Sequence, residues 1–165
     1  MVLSVTITCQ DTLAITEHRI INSDLNEHGT VYGGRLLELL DGTSSISAAH
    51  FARHLTVTAA VDQFNFIAPL KLHDSFKIVS YVSGAGKRSI EVFAKIIGSQ
   101  DTFGEKFLSA TAFLTFVTPK LVTLPTLVSI NEEEQVICKN YQQRHSLRQQ
   151  QLAANKEFYS VINLD

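Results

Sequence analysis

From Leu55 to Pro119 the apolar residues recur at a spacing of two, the period of a strand with one buried face. Segments 56–67, 75–83, 88–98 and 106–118 are predicted strands, separated by turn chemistry at Ala68-Pro69, Ser83-Gly84-Ala85-Gly86 and Gly98-Ser99-Gln100-Asp101. Ile90, Val92, Ala94 and Ile96 face one way and Glu91 and Lys95 the other, while Leu108, Ala110, Ala112, Leu114 and Phe116 form the most regular apolar face. Between Val61 and Phe64 the phase shifts, which predicts a bulge that re-aims Asp62 and Gln63. Ahead of these strands the period changes to that of a helix, from about Gly33 to Arg53. Leu36, Leu40, Ser47 and Phe51 share its apolar side, and Asp41 falls at the margin of that stripe beside Leu37, Ala48 and Ala52. Residues 3–9 and 15–21 are rich in Val, Ile and Thr, and the second of these stretches is a predicted strand leading into the polar loop 22–30.

One strand, one long helix and four antiparallel strands make an α+β order in which the sheet must wrap the helix to bury it, the architecture of the hotdog fold. A single curved sheet leaves an open edge, and pairing of that edge between two copies predicts at least a dimer. After Pro119 the composition changes. Residues 121–127 read as an extended connector, and Asn131 with Glu134 forms a capping box opening a second helix that runs to about Tyr159. Its Gln, Arg and Lys content with sparse apolar residues fits a helix that docks on a neighbour or one that lies on the surface, and the second is the default expectation. The expected division is residues 1–120 as the hotdog domain and 121–165 as connector and helix.

Composition narrows the function. A hydrophobic fraction of 45% and a charged fraction of 18% fit a globular chain, and a net charge of −2 gives no basic field to hold nucleic acid. No apolar run approaches the length of about 18 residues that spans a bilayer, and the N-terminus has no basic segment of a secretory signal, so a cytoplasmic protein without membrane partners is expected. Cys9 and Cys138, far apart in the chain, suggest neither a disulfide framework nor a metal site, and are expected to be bystanders.

Nucleophile elbows, phosphate-binding loops and dinucleotide fingerprints are absent. His50 and His54 are spaced i, i+4 without the glutamate or third ligand of a zinc site, so no metal is expected. What remains is chemistry with water. Asp41 is the candidate base, since partial burial raises a carboxylate toward the working pH. The N–H groups at Gly33 and Gly34, opening the helix, are candidate oxyanion donors. Asn26 offers an amide to orient water or a carbonyl. The turn Gly86-Lys87-Arg88-Ser89 gathers cations and a hydroxyl suited to phosphate, although an ordinary hairpin turn also has this composition.

Asn26-x-x-Gly29, then Val31-Tyr32-Gly33-Gly34 and Asp41, resembles the signature of hotdog acyl-CoA thioesterases, in the YciA-like and brain-type acyl-CoA hydrolase branch. Val61-Asp62-Gln63-Phe64-Asn65-Phe66-Ile67-Ala68-Pro69, Gly86-Lys87-Arg88-Ser89 and Ala112-Phe113-Leu114-Thr115-Phe116-Val117 resemble further segments of that family, and the likeness spans residues 13 to 119. It implies an acyl-CoA hydrolase without metal or organic cofactor, coenzyme A entering only within substrate and product. Asp41 is then general base or nucleophile, Asn26 its partner from across a dimer interface and Gly34 with Gly33 the oxyanion donor. Asn65 and the turn Gly86, Lys87, Arg88 and Ser89 are substrate contacts by the same likeness. The family turn more often has Arg directly after Gly; here Lys87 stands there and Arg88 follows, leaving open which cation meets phosphate. The likeness also implies a trimer of dimers. Ala110, Ala112 and Leu114 are expected to wall the acyl chain. Two other readings are a non-catalytic acyl-CoA sensor and a hydroxyacyl-thioester dehydratase or hydratase; the latter's His-Phe-Pro-Gly and Asp-x-Asn-Pro-x-His strings are both missing.

Overall fold

The computed structural model describes residues 5–165. Helix α1 (Gly33–Ala52) is wrapped by a five-stranded antiparallel sheet of β2 (Ala14–Arg19), β3 (Val57–Phe66), β4 (Ser75–Ala85), β5 (Ser89–Ser99) and β6 (Lys106–Val117), in the order β2-β4-β5-β6-β3. The predicted strands and helix are all present. On the inner face Leu36, Leu40 and Phe51 of α1 join Ile78, Val82, Ile90, Val92, Ile96, Leu114 and Phe116 in one core, which contains the stripe expected from the sequence.

Two details of the strand pattern differ. Leu108 is 42% exposed and leaves the apolar face, because the β5–β6 register slips between Ile96 and Ile97 and turns it outward. Ala110, Ala112 and Leu114 are fully buried in the core with α1, so they do not form an open wall; the small side chains of the two alanines let the helix lie close to the sheet. The bulge near Asp62 is present, with register shifts between Thr58 and Ala60 and between Val61 and Gln63.

Of the stretch 3–9, residues 3 and 4 lie outside the described residues, and β1 (Thr6–Thr8) pairs in parallel with β7 (Thr126–Val128) in the connector. The C-terminal helix is two helices, α2 (Glu132–Lys139) and α3 (Tyr141–Ser160), meeting at Asn140. Asn131 caps α2, its Oδ1 accepting from Glu134 N–H at 2.9 Å. These helices lie on the sheet's outer face and are bonded to it. Arg144 donates from Nε and Nη2 to the buried Glu91 carboxylate, at 2.7 Å in the shortest contact, and Arg148 donates to Asp62 at 2.9 Å. The Tyr141 ring packs on Gly84, where an added Cβ would stand 2.2 Å from it. No helix among the described residues is long and apolar enough to cross a membrane.

Candidate active site

The loop before α1 is folded by Asn26 and Asp24. Asn26 Oδ1 accepts from the N–H groups of His28 (2.9 Å) and Thr30 (3.2 Å), and its Nδ2 donates to Thr30 Oγ1 at 3.0 Å. Gly29 takes a positive φ of 74°, which closes the turn. Tyr32 N–H donates to the Asp24 carbonyl at 2.8 Å, and Asp24 Oδ1 accepts from Arg35 Nε at 3.2 Å, so the chain enters α1 at a fixed angle. The first helical bonds are those of Arg35 and Leu36 to the Tyr32 carbonyl. Among the described residues the N–H groups of Gly33 and Gly34 have no acceptor, and they form an open helix N-terminus. Both glycines sit under aromatic rings. A Cβ on Gly34 would lie 2.5 Å from Tyr32 Cε1, and one on Gly33 would lie 3.0 Å from Phe66 Cζ.

Asp41 lies two turns further along α1, half-buried on the side facing β3, where its Oδ1 accepts from Thr58 Oγ1 at 2.9 Å. Thr58 pairs across the ladder with Phe116 and so shares the inner face of the sheet. The sequence reading did not single out Thr58. Within one chain Asn26 makes no bond to Asp41, its polar atoms being engaged in its own loop. Asn65 pairs with Thr111 between the inner pairs Phe64–Ala112 and Phe66–Ala110, which turns it to the outer face, away from Asp41.

At the end of the sheet where Thr58 lies, level with it across β6, the turn between β4 and β5 closes through Gly86 N–H on the Ser89 carbonyl at 2.8 Å. Arg88 is spent on the protein itself, donating to the carbonyls of Thr118 (3.0 Å) and Pro119 (2.7 Å). Lys87 is exposed and forms no ion pair among the described residues, and it borders a cleft of about 460 Å³ shared with Leu121–Pro125. Beneath the turn, burial pushes the Tyr141 phenol above its usual range, and its hydroxyl has no partner within the described residues. Far apart in the chain, the free cysteines Cys9 and Cys138 are brought together by the fold, their Sγ atoms 3.6 Å apart.

A curved antiparallel sheet wrapped around one long helix whose N-terminus is open is the architecture of a hotdog protein. The thioesterase superfamily model matches residues 28–104. The Bacillus subtilis protein named "Uncharacterized acyl-CoA thioester hydrolase YkhA" is 35% identical over 161 residues, 95% of this chain and 94% of that one. An acyl-CoA hydrolase from Bacillus cereus superposes with a TM-score of 0.91 at 30% identity, covering 97% of this chain and 99% of that one. An acyl-CoA hydrolase from Staphylococcus aureus, solved with butyryl-CoA, CoA and CoA disulfide, gives 0.89 at 26% identity over 94% of this chain and 97% of that one. It has also been solved with single aspartate, threonine and asparagine residues replaced by alanine. The chain belongs to the acyl-CoA thioester hydrolases of the thioesterase superfamily.

Proposed function

We propose that this protein hydrolyses acyl-CoA to a carboxylic acid and CoA, with Asp41 as the base that activates water. The observation that carries the reading is the Asp41–Thr58 pair, in which Thr58 holds Oδ1 and leaves Oδ2 to accept the proton of a water. Water oxygen attacks the thioester carbonyl carbon as its proton passes to Asp41. The oxyanion is held by N–H groups at Gly33 and Gly34, each such donor contributing about 3–4 kcal/mol in acyl transfer. Collapse expels the CoA thiolate, which takes up the proton. Neither a metal nor an organic cofactor enters these steps.

Helix geometry decides whose donors serve whose base. Seven residues from Gly34 to Asp41 advance about 10 Å along an α-helix, whereas proton transfer and oxyanion contacts act over about 3 Å. One chain cannot apply both to one carbonyl. β3 is a free edge of the sheet, and antiparallel pairing of two β3 strands would run two α1 helices in opposite directions, each Asp41 toward the other's N-terminus. Asn26 and the glycine pair then come from one chain, Asp41 and Thr58 from the other, in at least a dimer. The Staphylococcus aureus variants support this set: the replaced residues are an asparagine, an aspartate and a threonine at intervals of 15 and 17, the intervals of Asn26, Asp41 and Thr58 here. Lys87, at the rim of its cleft, is the cation available to CoA phosphates.

Free-thiol release from a panel of short, medium and long acyl-CoAs tests the reading on the native protein beside Asp41→Asn, which keeps shape and removes charge. Native turnover that drops at least about 100-fold in the variant, with CoA affinity retained, is the expected result. Acyl-CoA bound without thiol release by the native protein would make it a sensor instead.

A further inference from the structure

Cys9 and Cys138 are 129 positions apart in sequence, and their sulfurs touch at 3.6 Å. Cys9 is fully buried just ahead of the single helical turn Gln10–Thr12, its N–H fixed on the Val128 carbonyl at 2.9 Å. Cys138, on the last turn of α2, is partly exposed. Tyr81, Phe93, Leu127 and Ile137 pack around the pair, and among the described residues no cluster of three ligating groups exists to hold a metal there. Cys138 is thus the more exposed residue of the pair and Cys9 the buried one, the order suited to an attacking and a resolving thiol.

We propose that Cys9 and Cys138 form a reversible dithiol–disulfide site that fastens α2 to the N-terminal strand. The oxidant is a hydroperoxide or a low-molecular-weight disulfide. With hydrogen peroxide, the Cys138 thiolate attacks one oxygen, the O–O bond breaks, and Cys138 becomes a sulfenic acid with loss of hydroxide. Cys9 sulfur then displaces the sulfenic oxygen as a second hydroxide. The two thiol protons convert both hydroxides to water, and two electrons pass from the sulfurs to the peroxide. Closing from contact to a bond of about 2.05 Å needs an approach of roughly 1.5 Å. Cys138 stands on a helix of eight residues, and side-chain rotation with a small shift of that helix supplies it. The contact itself favours the order of events: the hydrogen bond from Cys9 holds the Cys138 thiol below its ordinary value, and the same contact with burial pushes Cys9 up.

The site does not depend on the proposed hydrolysis, and its test reads thiols and mass. The full-length protein is treated with hydrogen peroxide and, separately, with glutathione disulfide. Both thiols should disappear together with a mass loss of about 2 Da, in a monomeric chain that yields a linked Cys9–Cys138 peptide, and dithiothreitol should restore them. Because the bond would close most of the chain into a loop, the thermal midpoint should rise by roughly 5–15 °C. In Cys9→Ser, Cys138 should retain glutathione as a mixed disulfide that the native protein resolves; Cys138→Ser should leave Cys9 unreacted in its buried position. Persistence of both native thiols under conditions that oxidise an unstructured dithiol peptide would overturn the proposal. So would native Cys138 proceeding alone to a sulfinic acid.

Discussion

In the proposed mechanism Asp41 takes the proton of water through Oδ2, the oxygen left free by Thr58. Its hydroxyl donates to Oδ1 at 2.9 Å, which fixes the carboxylate plane and leaves Oδ2 open. Thr58→Val keeps the shape of the side chain and removes the donor. A hydrogen bond to a charged group is worth about 1.5–3 kcal/mol, so kcat should fall roughly 10- to 100-fold while KM stays within about threefold, read from steady-state thiol release. Gly34→Ala tests the other half of the chemistry. Its Cβ would meet Tyr32 Cε1 at 2.5 Å and push the ring across the open N–H groups, so kcat should again fall at least about 10-fold in the same assay, with the far-UV circular dichroism of α1 unchanged. The acid and the glycines were legible because the helix period marks where α1 starts and which side Asp41 occupies. The Thr58 contact was not, because it exists only where β3 crosses α1, and Val57-Thr58-Ala59-Ala60 carries no local pattern. The engagement of Arg88 was hidden for a related reason: its partners are the backbone carbonyls of Thr118 and Pro119, which side-chain patterns cannot report.

At the scale of elements, hydrophobic periodicity found the sheet and α1, and composition found an exposed C-terminal helix but not what holds α3 to the sheet. Its apolar residues Leu147, Leu152 and Phe158 are indeed exposed, and what docks the helix is Tyr141 together with charge, Arg144 on the buried Glu91 and Arg148 on Asp62. A buried ion pair is compatible with a polar helix face, so composition alone reads as surface. The first residue of α3 and the β4–β5 turn are coupled through Gly84, whose missing side chain makes room for the Tyr141 ring. A Cβ there would overlap the ring at 2.2 Å. Gly84→Ala should cost about 1–3 kcal/mol in urea denaturation by overpacking. In a Tyr141→Ala background, with the ring gone, the same substitution should cost at least about 1 kcal/mol less. Strict additivity in this cycle would mean that Tyr141 does not hold the turn.

For the whole molecule, the free edge of β3 carries the argument. Val57 (45%), Val61 (39%), Phe66 (63%) and Ile67 (55%) are exposed along it in a single chain, an apolar and unpaired edge of the kind that proteins cover. If pairing of this edge builds the active sites, every site takes Asp41 and Thr58 from one chain and Asn26 with Gly34 from the other. Subunit mixing tests that division directly. Asp41→Asn and Asn26→Ala chains, each inactive alone, are unfolded together in equal amounts and refolded. Half of the resulting dimers combine one chain of each kind. In each of those, one site carries both substitutions and the other carries neither, so the mixture should recover about a quarter of native thiol release. Sedimentation should show the same assembly for native and mixed protein. If Asn26 and Asp41 served a common site within one chain, every site in the mixture would carry one substitution or the other, and refolding them together would restore nothing.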